Sequence, residues 1–540
     1  MKNIALLLFL TGFYSCNSQM ENADLLVQNA NVYTVNNSFD KAEAFVVKDG
    51  KILAVGTTKD LQLKYYVDEV FEAGGKTIVP GLIDAHAHLY NLGSSMQRAN
   101  LAGTKSKQDV LDRVVEFQKE KQTEFILGRG WDQNDWEIKE FPTKEELDAL
   151  FPDIPVALTR IDGHALWVNS KALNLAGITS ATKMSGGEVV LENGEPSGIL
   201  VDTPMKLVRN IMPEPDRDYN ITALKDAEAA CVSFGLTTVN DAGLGREVIE
   251  LIDELQQRKE LKIRVYAMVA NNPSNLNYYL NKGITKTNRL NVRSVKVYAD
   301  GALGSRGAAL REPYSDQDGH FGAMITPASE LEKLAERIEK AGFQMNTHAI
   351  GDSANVAVLR AYKQAFNGKK DLRWKIEHAQ VISLQDIAEF SGNIIPSVQP
   401  THATSDMYWA EDRLGKERIK GAYAYKSLLK SAGTIALGTD FPVENVNPML
   451  TFYAAVARKD LDNYPENGFR AEEALTREET LRGMTQWAAY SNFEENEKGS
   501  IEPGKFADFV VLDKDIMECP VNEIPKIRVL DTFIGGEKVF

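Results

Sequence analysis

Through the middle of the chain, short apolar runs recur between stretches whose hydrophobic positions repeat at helical spacing. Eight runs qualify as strands: residues 83–88, 236–241, 264–270, 295–300, 344–348, 375–378, 394–399 and 435–440. Helical stretches at 327–340 and 353–366 separate several of them. Strands alternating with helices predict a parallel α/β architecture, and eight repeats of the unit favour a closed (β/α)8, TIM-like barrel over an open sheet.

The two ends of the chain read differently. Residues 24–35 and 44–55 are apolar runs next to the turn formers Asn36-Asn37 and Asp49-Gly50, and the last stretch repeats this with 506–512 and 529–540 around Gly535-Gly536. These are hairpin signals. Neither end is long enough to bury a sheet alone, so residues 20–78 and 491–540 are expected to form one small β-sandwich domain beside a barrel at 79–490. Between the first and second barrel strands lies a gap far longer than an ordinary βα connection, so about 89–230 must be a structured insertion. It carries Trp131, Trp136 and Trp167 and leaves from the C-terminal rim of strand one, which suggests a lid over an active site.

At 540 residues, with 43% hydrophobic and 25% charged positions, the chain has the make-up of an ordinary globular protein. Its 61 Lys and Arg against 76 Asp and Glu give a net charge of −15, which argues against a nucleic-acid partner and says nothing about the substrate, because the charge of a pocket can oppose that of the whole. Three cysteines exclude both a disulfide scaffold and a multi-cysteine zinc site. Residues 1–19 read as an export signal: Lys2 precedes an apolar run from Ile4 to Leu10, and Cys16 follows Ser15 as in a bacterial lipoprotein, although Phe13 stands where that pattern has Leu. The expected location is the periplasm or cell envelope, with a lipid on Cys16 as the sole membrane contact.

Chemistry concentrates where predicted strands end. His86 and His88 close the first strand two residues apart and therefore point the same way. His348, His378 and Asp440 close three others, and Lys296 interrupts an otherwise apolar run. Any one of these alone reads as a satisfied core residue, and Lys296 as a lysine that snorkels out or pairs with Asp300. In a barrel, however, the strand C-termini converge on one mouth, so four histidines and a carboxylate would meet there as a metal site.

The flanking words add a resemblance. Pro80-Gly81-Leu82-Ile83-Asp84-Ala85-His86-Ala87-His88, Asp300-Gly301-Ala302-Leu303-Gly304-Ser305-Arg306-Gly307, Gln399-Pro400-Thr401-His402-Ala403-Thr404 and Gly438-Thr439-Asp440-Phe441-Pro442-Val443 resemble the amidohydrolase superfamily, in its amidohydrolase 3, YtcJ-like branch. The resemblance implies two divalent ions, with zinc favoured and iron or manganese as alternatives. One would be held by His86, His88 and Asp440, the other by His348 and His378, with carboxylated Lys296 bridging them. It implies hydrolysis of a C–N bond in a small molecule (an amide, formamide or cyclic amide), with Asp440 as proton shuttle, and a homodimer. His164, Arg306 and His402 are candidate substrate contacts. Asp84 is expected to point away from the mouth by strand alternation, and His320 to lie in a loop. The competing readings are a silent small-molecule-binding barrel and a lactone or phosphoester hydrolase using the same centre.

Overall fold

The protein is described here from a computed structural model over residues 20–540; the expected export signal and Cys16 lie outside the described residues. Among the described residues no helix is long and apolar enough to cross a membrane.

All eight expected barrel strands form: β1 (Leu82–Ala87), β2 (Leu236–Leu244), β3 (Arg264–Ala270), β4 (Leu290–Tyr298), β5 (Gln344–Ala349), β6 (Trp374–His378), β7 (Ile394–Val398) and β8 (Ala436–Leu437). They pair in sequence order, each parallel to the next. The seam between β8 and β1 is closed by backbone just past β8: Asp440 N–H donates to His86 O at 2.8 Å, and His88 N–H donates to Phe441 O at 2.9 Å. Gly438 permits this approach, because a Cβ there would lie 2.5 Å from His86 N. Helices cover the outside. The helix Ala328–Lys340 buries Leu331, Ala335 and Ile338, the i, i+4, i+7 stripe that its sequence encodes.

The barrel interior is unusually polar. Lys296 is in register with Asn346, and Asn346 with Lys375, so the three occupy one rung of the sheet. The segment after the barrel plugs the opposite end from the strand C-termini. Asn492 Oδ1 accepts from Lys375 Nζ at 2.6 Å, its amide group exchanges hydrogen bonds with Asn240, and Ser491 O accepts from Gln344.

The two chain ends build two small sheets around a shared core that includes Phe45, Ile78, Phe509 and Phe533. Phe509–Leu512 pairs antiparallel with Thr77–Pro80, the strand that runs directly into β1. In the N-terminal part, Asp49 and Gly50 both take positive φ (51° and 73°) to turn the hairpin between Ala44–Lys48 and Lys51–Gly56.

The insertion has a six-stranded sheet of its own, in the order Gly187–Glu192, Glu195–Asp202, Ala165–Val168, Val156–Arg160, Ile126–Trp131, Ala99–Asn100. Trp131, Trp136 and Trp167 are buried in its core and do not line a pocket over the site. The insertion is tied to the barrel by the helix Leu89–Met96 packed on Arg217–Ser233, where Gly93 sits so close that a Cβ would meet Ala223 O at 1.9 Å.

Candidate metal centre

Barrel topology brings the C-terminal ends of the strands to one mouth, and the chain places a donor on β1, β4, β5 and β6 and just after β7 and β8. His86, His88, Lys296, His348, His378, His402 and Asp440 line one cavity of about 450 Å³. His378 and Asp440 sit there with φ of 71° and 65°, a strained backbone that aims side chains at a strand end where ordinary extended geometry does not.

Asp440 is central. Its Oδ1 lies 3.1 Å from His88 Nε2 and 3.7 Å from His86 Nε2, and its Oδ2 lies 3.7 Å from His402 Nε2. Donor atoms of His86, His88 and Asp440 fall within 4.8 Å of one another, as do those of His378, His402 and Asp440. His402, expected as a substrate contact, is thus within donor reach of the centre, with its ring stacked on His378 at 5.9 Å. The His348 and His378 ring centroids are 4.5 Å apart.

The outer nitrogens are fixed from behind. His86 Nδ1 pairs with Glu377 Oε2 at 2.7 Å, His378 Nδ1 with Gln399 Oε1 at 2.7 Å, and His88 Nδ1 with Ala242 O at 3.0 Å. With Nδ1 donating, the Nε2 of His86 and of His378 keeps its lone pair, the arrangement typical of metal-binding imidazoles; burial would lower His88 too, but the contact of its Nε2 with Asp440 raises it. Burial pushes His348 down to about 3, and it lowers His378 and His86 as well, so these rings are neutral at pH 7. Burial alone would raise Asp440, yet the surrounding imidazoles, His88 first, hold it well below the usual carboxylate range. His348 Nε2, His402 Nε2 and Asp440 Oδ1 are buried without a hydrogen-bond partner. Neutral imidazoles, an ionised carboxylate and orphaned donor atoms facing one cavity fit divalent metal ions.

Lys296 is fully buried; burial lowers it to about 8, and its Nζ lies 3.0 Å from His86 Nε2. Asp300 does not pair with it. It accepts instead from the backbone N–H groups of Ala309, Ile350 and Gly351. Asp84 does not line the cavity, but strand alternation is not the reason, since it lies two residues before His86 and so on the same face; its carboxylate is taken up by Thr439 N–H and Oγ1–H, which fastens β1 to the end of β8.

The sequence model of the Amidohydrolase family matches residues 69–540. The chain belongs to that family. YtcJ of Bacillus subtilis is 32% identical over 94% of this amidohydrolase and 98% of its own length. An N-substituted formamide deformylase of Arthrobacter pascens is 28% identical over 95% and 97%. A crystal structure of a metal-dependent hydrolase from Pyrococcus furiosus superposes with a TM-score of 0.76 at 27% identity, covering 92% of this chain and 100% of the other. The protein is a metal-dependent hydrolase of the amidohydrolase superfamily.

Two expected substrate contacts of this amidohydrolase lie elsewhere. His164 is exposed, with Nδ1 2.7 Å from Asp202 Oδ1, and Arg306 grips Asp316 through Nε at 3.1 Å and Nη2 at 2.8 Å; neither lines the cavity. The Arg306 segment contributes through its neighbours Ala302, Leu303 and Gly304. His320, as expected, sits in a loop, with Nε2 2.9 Å from Arg306 O. No insertion residue lines the metal cavity. The sequence reading missed Glu377 and Gln399 behind the histidines, and Tyr298 and Trp409 in the cavity wall. Glu377 carried a signal: with Lys375 it puts charges at i and i+2 of an apolar strand, hence on one face.

Proposed function

We propose that the protein hydrolyses a C–N bond in a small amide, formamide or cyclic amide, and that it does so at a centre of two divalent metal ions. The observation that carries this reading is the convergence of five histidines and ionised Asp440 on one cavity, where His348 Nε2, His402 Nε2 and Asp440 Oδ1 are left without hydrogen-bond partners. The name of the Arthrobacter pascens relative supports the bond type.

In this reading His86, His88 and Asp440 hold one ion and His348 and His378 the other, with His402 in reserve beside Asp440. Zinc suits so imidazole-rich a donor set. When bound, the ions supply acidification of a water and polarisation of the scissile carbonyl. Lys296, with its amine depressed by burial, attacks carbon dioxide through Nζ and loses a proton to become a carbamate, whose oxygens replace a cation with an anionic donor. Asp440, held ionised, accepts a proton from the attacking water and passes it to the departing nitrogen as the C–N bond breaks and the C–O bond forms. Leu303, Ile350 and Trp409 give the cavity an apolar wall for the remainder of the substrate.

The test is elemental mass spectrometry of protein prepared with zinc and bicarbonate, followed by an amide and formamide panel. About two ions per chain, falling sharply in Lys296→Ala, together with amine release, is the expected result. One ion or none, unchanged by that substitution, or alcohol or phosphate release in place of amine, overturns the assignment.

A further inference from the structure

Beside the metal cavity lies a second one, of about 640 Å³, between the insertion and the helix Leu89–Met96. Its lining is one-sided in chemistry. Arg98, Arg129, Asn91 and Asn100 line it and no carboxylate does, while the hydroxyls of Ser94 and Ser95 at its edge are taken up by Tyr219 Oη and Leu92 O. That is notable in a chain with 76 acidic residues against 61 basic ones. Among the described residues neither arginine side chain has a carboxylate or carbonyl partner, whereas Arg160 and Arg306 are both paired to aspartates.

The backbone brings the segment that carries Arg98 beside the strand that carries Arg129. Ala99–Asn100 pairs parallel with Ile126–Trp131, with Ala99 opposite Gly128 and Asn100 opposite Arg129. Side chains in register on neighbouring strands point the same way, so Asn100 and Arg129 share one face, and Arg98 lies in the turn that leads into Ala99–Asn100. The burial pattern agrees: Arg98, Asn100 and Arg129 are exposed, while Ala99 and Gly128 are buried. The cavity adjoins the metal centre through the loop that follows Asp440, since Pro442 lines this cavity while Asp440 and Val443 line the other.

Two guanidinium-bearing side chains without protein partners, bordering one cavity that no carboxylate lines, suit the planar, multi-acceptor geometry of carboxylate and phosphate. We propose that this second cavity is an anion subsite, in which Arg98 and Arg129 receive a carboxylate or phosphate at the end of the substrate remote from the scissile bond. As a statement about substrate, this rests on the hydrolase reading above; as a statement about binding, it does not.

The experiment is isothermal titration calorimetry of the metal-loaded protein with glutarate and, separately, inorganic phosphate at physiological ionic strength. Saturable binding is expected, weakened at least about tenfold by Arg98→Gln and by Arg129→Gln, partly restored by Arg129→Lys, and unchanged in His378→Ala. Tighter glutarate identifies a carboxylate-bearing substrate, and tighter phosphate a phosphorylated one. Absence of saturable binding overturns the proposal. So does binding that survives both arginine substitutions but is lost in His378→Ala, which places the probe at the metal centre. Anion binding lost in the arginine variants of a protein that hydrolyses no amide keeps the subsite and sinks the hydrolase reading. Amide hydrolysis with neither probe bound does the reverse.

Discussion

Glu377 Oε2 lies 2.7 Å from His86 Nδ1, and neither side chain has any solvent exposure. Burial alone would raise Glu377, but His86, Lys375 and Lys296 around it keep it below the ordinary glutamate value. The carboxylate therefore orients the ring and, in the metal-free protein, balances the buried ammonium groups of Lys375 and Lys296.

Glu377→Leu should remove both effects. Metal retention against a chelator is expected to fall about 10–100-fold. Urea unfolding of the metal-free protein should show a loss of about 3–5 kcal/mol, because cations are left buried without their partner. Glu377→Gln keeps an acceptor for His86 and should lose less metal affinity than the leucine variant. Equal losses in the two would show that the hydrogen bond does not set the ring.

Gly438→Ala should act on the same centre through the backbone. The added carbon would lie 2.5 Å from His86 N and 2.7 Å from Asp84 Oδ1, forcing β1 and the Asp440 segment apart. A destabilisation of about 1–3 kcal/mol is expected, with metal content reduced alongside it. Thermal melts and elemental analysis of the purified variant check both, and a variant with normal metal content would show that the seam has more slack than its geometry indicates.

Lys375 should leave a signature in the pH dependence of stability. Burial lowers it to about 8, although Glu377 and Glu494 pull the other way. An unfolded lysine titrates near about 10.4, so between about pH 8 and 10 the unfolded chain holds a proton that the folded chain has released. Stability from this group therefore rises with pH across that window, by up to roughly 3 kcal/mol in total. Denaturant unfolding of wild type and Lys375→Met at several pH values should show the difference between them moving in favour of wild type as pH rises. Parallel curves would mean that Lys375 is not held below its ordinary value.

Removing the metal should lower the melting temperature without dissolving the barrel. The eight-strand ladder and the Asn492 plug do not depend on an ion, whereas ligand binding adds stability in proportion to the logarithm of ligand over dissociation constant. Chelated protein is expected to keep its far-ultraviolet circular dichroism, melt lower, and recover on adding zinc. Collapse of the secondary structure on chelation would make the metal a folding requirement.

The barrel was legible in the sequence because each strand is a short apolar run ended by a chemically distinctive residue, as at His88, His348, His378 and Asp440. The convergence of those residues followed from topology alone. Side chains acting across strands were harder to see. Gln399 supports His378 from the next strand, and Asn492 reaches Lys375 from a segment well past the barrel, so neither pairing leaves a local pattern. His164 and Arg306 stood in suggestive words, but their partners Asp202 and Asp316 draw them elsewhere. The insertion's tryptophans were ambiguous because burial in a core and lining of a pocket demand the same residue types.

The pairing of Thr77–Pro80 with Phe509–Leu512 has a consequence for biosynthesis. The strand that leads into β1 is made before the barrel, and its neighbour after it. The shared sheet cannot close until every barrel strand between them has left the ribosome, and until then the apolar side chains of Ile78 and Val79 must be kept from other chains.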